Sequence, residues 1–122
     1  MGKRADLDVF TQHYIETALW SSSDSDPHGT PLGDNYGLED VAVESVDKMR
    51  ADCIKFQADN ASALEPFDME IAGHDFWLTR NGHGAGFWDG DYTEPQATEL
   101  IKASEAFGEC SIVVGDDGKL YV

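Results

Sequence analysis

Gly73-His74-Asp75-Phe76-Trp77-Leu78-Thr79-Arg80-Asn81-Gly82-His83-Gly84-Ala85-Gly86-Phe87-Trp88-Asp89-Gly90-Asp91-Tyr92 is the stretch on which the reading of the fold turns. Phe76, Trp77, Phe87, Trp88 and Tyr92 crowd into two short runs on either side of a glycine-rich turn, with His83 at its tip. Residues Glu70 to Arg80 read as a strand, in which Phe76 and Leu78 share one face and Asp75, Trp77 and Thr79 the other. Asn81-Gly82 is a strong hairpin signal, because both positions tolerate a positive φ. The partner strand runs from Ala85 to Asp89. Core packing accounts for Phe76 and for one of Trp77 and Trp88. The other tryptophan is the candidate for a partner contact, since exposed tryptophans dominate binding energies where they occur.

Outward from this stretch, the N-terminal side is helical. Leu7, Phe10, Tyr14 and Ala18, widened by Ile15 and Leu19, form an apolar stripe over Asp6 to Trp20. Ser21 to Gly37 is turn-like, with Pro27, Gly29, Pro31, Gly33 and Gly37 opposing regular structure. A connection of that length marks a mobile or binding loop. A second helix is expected over Leu38 to Asp59, with Leu38, Val41, Val46, Met49, Cys53 and Phe56 inward and Glu39, Asp40, Glu44, Asp47 and Asp52 outward. Asn60 to Phe67 breaks the pattern, and Pro66 excludes a continuing helix.

On the C-terminal side, Thr93 with Gln96 forms a capping box, and Pro95 fits the first turn of a third helix. Ala97, Leu100, Ile101, Ser104 and Phe107 line its inner face, and Gly108 caps it. Glu109 to Val114 and Lys119 to Val122 read as strands around a tight turn at Asp117-Gly118. The expected fold is therefore α+β in the order α-α-β-β-α-β-β, with an antiparallel sheet of about four strands packed against helices. It forms a single domain over 1–122, a helical acidic part (1–67) followed by the aromatic hairpin, helix and C-terminal hairpin (68–122).

Charge narrows the partners. Among the 122 residues, 24 are acidic and 8 basic, a formal net charge of -16. Such a surface repels nucleic acid and anionic membrane and attracts basic surfaces. The same acidity also serves solubility. No apolar run approaches the roughly 20 residues of a membrane span, and the residues after Met1 lack the apolar region of a signal peptide. Cys53 and Cys110 sit in apolar contexts that suit buried, reduced thiols and a cytoplasmic protein.

His74, Asp75, His83, Asp89 and Asp91 are suitable ligand types for zinc or another divalent ion. Neither His-x-x-x-His nor Asp-x-Asp-x-Asp-Gly occurs, however, and strand alternation puts His74 and Asp75 on opposite faces. No metal or other cofactor is expected. Cys110 with His74 or His83 would make a nucleophile and base, but Ser111 to Val114 around that cysteine reads as core strand. Asp89 and Asp91 share a strand face and could pair, yet the turn leading to Thr93 explains them equally. Gly82 to Gly86 lacks the helix and lysine of a phosphate-binding loop. A base-stacking platform would need a basic groove, and only Arg80 is nearby. A non-enzymatic protein is expected.

The run His74 to Asp89, followed by Ala106-Phe107-Gly108-Glu109 and by Val114 to Tyr121, resembles small proteins of unassigned function encoded by bacteriophages and related mobile elements. The resemblance covers the C-terminal half and carries no catalytic residues with it. It implies a phage-like setting, in which small acidic proteins act as stoichiometric inhibitors of host defence proteins, including restriction and CRISPR nucleases. The residues expected to contact a basic, nucleic-acid-binding host surface are Asp24, Asp26 and Asp34 in the long loop and Glu39, Asp40, Glu44 and Asp47 beyond it. Trp77 or Trp88 would add an aromatic anchor. The alternative is an accessory or structural phage protein that self-associates through the aromatic hairpin.

Overall fold

The computed structural model describes residues 7–22, 30–82, 86–87 and 92–122. The first helix, α1, spans Val9–Ser21. Its N-cap is Asp8, whose Oδ1 accepts from the Thr11 N–H at 2.8 Å. Burial raises the Asp8 carboxyl, but hydrogen bonds from Thr11 and Gln57 and the nearby Arg50 charge hold it below its ordinary value. Phe10, Tyr14, Ile15, Ala18 and Leu19 are buried, so the apolar stripe of α1 faces the core as the periodicity predicts.

The second helix is shorter than expected at its start. Leu38–Asp40 forms a 3-10 turn in which the Asp40 carboxylate accepts from the Gly37 N–H at 2.8 Å. Val41 then bridges to Leu120, and the Ala42 N–H donates to the Leu120 carbonyl at 2.9 Å. Only after this extended step does α2 run, over Val43–Asp59. A 3-10 turn at Leu32–Asp34 precedes it, and a one-turn helix, α3, follows at Ala61–Leu64.

The central expectation is overturned at the next element. Met69–Arg80 is a helix, α4, not the strand read over Glu70 to Arg80. Asp68 caps it by accepting from the Glu70 N–H. Asn81-Gly82 closes this helix instead of turning a hairpin. Gly82 has φ +67, and the Asn81 amide donates to the Trp77 carbonyl at 3.0 Å while its oxygen accepts from the Cys110 N–H at 2.8 Å. The same tolerance of positive φ that favours a hairpin turn also ends a helix. Gly86 and Phe87 are described but in no strand. Phe87 is fully buried, and its N–H donates to Thr79 Oγ1 on α4 at 3.0 Å.

The last helix, α5, spans Gln96–Phe107, starting later than the Thr93 cap predicts. Thr93 Oγ1 meets the Gln96 side chain, and Glu94 accepts from both the N–H and the hydroxyl of Thr98. Strands β1 (Val113–Val114) and β2 (Leu120–Tyr121) pair antiparallel around the Asp117-Gly118 turn. The sheet of about four strands is thus corrected to a two-stranded one, with helix predominating, among the described residues. Of the expected strand segments, α4 replaces the one over Glu70 to Arg80, and Gly86 and Phe87 are in no strand while the rest of Ala85 to Asp89 lies outside the described residues.

Helices α1 and α4 make the densest pairing, and Gly73 permits it. A Cβ there would overlap the Phe10 carbonyl, so the two backbones touch. Around this contact the aromatic residues close the core. Phe56 stacks on Phe76 with centroids 4.0 Å apart, and Tyr14 meets Trp77 edge-on at 5.3 Å. The core continues through Leu100 of α5 to Ile112 and Leu120 at the hairpin.

Candidate interaction surface

The carboxylates expected to meet a partner belong to one acidic stretch of sequence. Residues 5–47 contain ten Asp and Glu and no Lys or Arg. Within it Asp34, Glu39, Glu44 and Asp47 are exposed, on the first 3-10 turn, the second and the first two turns of α2. Asp40 is half-buried and spends its carboxylate on the Gly37 N–H. Asp24 and Asp26 lie outside the described residues.

Beyond Asp47 the acidity of α2 is neutralised. Lys48, Arg50 and Lys55 follow within eight residues, and Lys55 pairs with Asp59 at 2.8 Å. Asp52, expected to face solvent, instead accepts from Arg80 Nη1 at 2.9 Å. The acidic surface is therefore the N-terminal end of α2 and the turns that lead into it.

The C-terminal hairpin extends that end. Its Leu120 pairs with Val41 and Ala42, and Tyr121 comes under the influence of Glu44. Tyr121 donates to Asp117 Oδ2 at 2.6 Å, and chiefly for that reason its phenol is pushed up to about 12. Spacing gives no hint of this neighbourhood, because it depends on the Val41–Leu120 bridge between distant parts of the chain.

The aromatic candidates fare differently. Trp77 is only 1% exposed, and its Nε1 donates to Ser21 Oγ at 2.9 Å, so it belongs to the core. Trp88 lies outside the described residues. Trp20, which the sequence reading passed over as the end of a helix, is 53% exposed and packs its ring against His74. Its position opposite the buried stripe of α1 was the available signal.

The ionisable groups near α4 are arranged differently from the strand reading. His74 and Asp75 were placed on opposite strand faces; on a helix they are adjacent, with Nδ1 3.1 Å from Oδ1. Asp75 also accepts from the Tyr92 hydroxyl at 2.7 Å. His83, Asp89 and Asp91 lie outside the described residues, and no group of three or more potential metal ligands occurs among the rest. Burial pushes both the Cys53 and Cys110 thiols up, which disfavours the nucleophilic thiolate. Arg80, which precedes the glycine-rich stretch, is buried and makes four hydrogen bonds. Its Nε donates to Gly108 O, Nη1 to Tyr14 and Asp52, and Nη2 to Phe107 O.

The depressions lined by Asn60 and Glu99, by Leu64 and Met69, and by Asp59 and Phe107 do not include these groups. No helix among the described residues is long and apolar enough to cross a membrane. No protein-family model, curated protein or solved structure matches the chain.

Proposed function

We propose that this protein is a non-enzymatic, stoichiometric inhibitor acting in the cytoplasm of a host cell in a phage-type setting. Its acidic N-terminal surface covers a basic, nucleic-acid-binding surface of a host defence protein of restriction or CRISPR type. One observation carries the reading: Asp34, Glu39, Glu44 and Asp47 are exposed together on a segment that holds no lysine or arginine. Carboxylates so placed can occupy positions a basic cleft offers to phosphates, while the same field repels nucleic acid itself. The partner set is therefore protein.

The burial of Phe76, Trp77 and Phe87 favours this reading over self-association through the aromatic stretch, of which Trp88 lies outside the described residues. The test is capture of purified restriction and CRISPR nucleases by the immobilised protein at about 50 mM and about 500 mM salt. Capture at low salt that fades at high salt, together with loss of nuclease activity near one equivalent, is the expected result. Absence of capture from every nuclease at low salt sinks the reading.

A further inference from the structure

The outward face of α1 ends on an uncovered tryptophan. Val9, His13, Glu16 and Trp20 follow one another at i, i+4, i+7 and i+11, opposite the buried stripe, and Trp20 is 53% exposed. Tryptophan is on average a highly buried residue. This one is also held in place. Its ring packs on the His74 imidazole with centroids 5.5 Å apart and planes 31° from parallel, and His74 Nδ1 lies 3.1 Å from Asp75 Oδ1. Behind it, the Leu32–Asp34 turn lies against the end of α1: a Cβ on Gly33 would sit 3.6 Å from the Trp20 Cα, and the Leu32 N–H donates to the Ser22 carbonyl at 2.9 Å. The indole is thus backed on one side and in water on the other. Charge around it has one sign. Glu16 is exposed one turn earlier on the same face, where side chains four residues apart are neighbours. It meets His13 at 3.9 Å, an ion pair only when the imidazole is protonated. Asp34, also exposed, follows Gly33, and residues 5–47 hold no lysine or arginine.

We propose that the open face of Trp20 is the seat of an arginine side chain of the partner protein, its guanidinium laid on the indole and its charge met by Glu16 and Asp34. The inference rests on the basic-partner reading above and names the anchor of that contact. A cation over an indole is attracted by the ring's electron-rich face. The guanidinium is planar and weakly hydrated, so it stacks on the ring while its N–H groups remain free to donate to carboxylates at the rim, which an ammonium does less well. Because His74 already fixes the ring, little freedom is left to lose on binding. Asp34 belongs both to the acidic surface and to the turn against Trp20, so the two are continuous. Charge selects the occupant: a second copy brings another net charge of -16, whereas a basic surface is drawn to this face.

The probe is a short glycine-serine peptide carrying arginines, titrated onto the whole chain and followed by its indole and backbone amide signals. The largest shifts are expected at the Trp20 Nε1–H and at Glu16 and Asp34. Trp20→Ala should weaken the peptide roughly threefold to tenfold, and Trp20→Phe by less. As a check independent of any variant's folding, the same peptide with citrulline for arginine, which keeps the shape and loses the charge, should bind the unaltered protein weaker by a similar factor or more. If arginine and citrulline peptides bind alike, or if Trp20→Ala leaves the affinity unaltered, the arginine seat is overturned. Shifts centred on Glu39 and Glu44 instead of Trp20 overturn it as well, since the peptide then follows the acidic field alone. In nuclease capture at low salt, a Trp20→Ala protein that captures as well as the unaltered one overturns the seat and leaves the basic-partner reading standing. If no nuclease is captured, that reading falls, and the peptide titrations by themselves uphold or overturn the seat.

Discussion

Arg80 concentrates more of the structure in one side chain than any other residue described. It joins α1 through Tyr14, α2 through Asp52 and the end of α5 through the carbonyls of Phe107 and Gly108. Its guanidinium also lies 5.6 Å from the Phe76 ring centroid and 5.4 Å from that of Phe107. A planar fork with five donors suits this divergent set, and a lysine does not. Replacing it with methionine strands two helix-terminal carbonyls and the Tyr14 hydroxyl in the interior. Arg80→Met is expected to cost roughly 2–4 kcal/mol in urea unfolding, with Arg80→Lys recovering less than half. Asp52→Asn should cost about 1 kcal/mol or less, because that side chain is 39% exposed and water replaces the pair. An Asp52→Asn loss equal to that of Arg80→Met contradicts the role given to the carbonyls.

Tyr14 and Cys53 add a dependence on pH. Burial pushes the Tyr14 phenol well above its ordinary value, although the Arg80 charge and hydrogen bond pull the other way. Burial likewise raises the Cys53 thiol, although the Arg80 charge pulls the other way. Both groups are neutral when protonated, so the unfolded chain releases these protons first as pH rises. Their contribution is complete below the unfolded values of 9.0 and 10.0 and is lost as pH climbs above them. The urea midpoint should be flat from neutrality to about pH 9 and fall beyond it. A midpoint unchanged to about pH 11 shows that these groups are not kept neutral by folding.

At the scale of elements, α4 explains both what the sequence discloses and what it hides. Helices α1, α2 and α5 have polar faces, so their apolar periods are visible and their existence is predicted correctly. In α4, every residue from Asp75 to Arg80 is buried. Over that stretch no exposed polar face marks a helical period, and the exposed Ile71 before it breaks the pattern as well. Phe76, Trp77 and Thr79 favour strands by propensity, and Asn81-Gly82 supplies turn chemistry that two structures share. Tertiary packing decides between them, through partners contributed by α1, α2 and α5 that spacing cannot reveal. The candidate carboxylates were legible because exposed charge needs only composition. Their proximity to the C-terminal hairpin was not, because it is made by one bridge at Val41.

Gly73 gives the sharpest test of that packing. In an exposed helix interior, glycine to alanine gains about 1 kcal/mol. Here the added methyl would overlap the Phe10 carbonyl, a backbone group that cannot rotate aside. Gly73→Ala is therefore expected to destabilise by about 1–3 kcal/mol, reversing the sign of the propensity term. Circular dichroism with urea unfolding measures it. A stabilised variant would mean that α1 and α4 do not meet at this contact.

For the molecule as a whole, the net charge sets stability and binding against each other. Unbalanced carboxylates repel one another in the compact state, and salt relieves this by shortening the screening length from about 30 Å at 0.01 M to about 8 Å at 0.15 M. The melting temperature should therefore rise over that range. Neutralising Asp34, Glu39, Glu44 and Asp47 together, as Asn or Gln, removes four of the charges that cause the repulsion and leaves the Arg80 hub and the Gly73 contact untouched. Its melting temperature should gain less on adding salt than that of the unaltered protein. If these carboxylates are retained for binding, the same variant loses nuclease capture. A variant that melts lower and still captures its partner would assign the four residues to the fold and move the binding surface elsewhere.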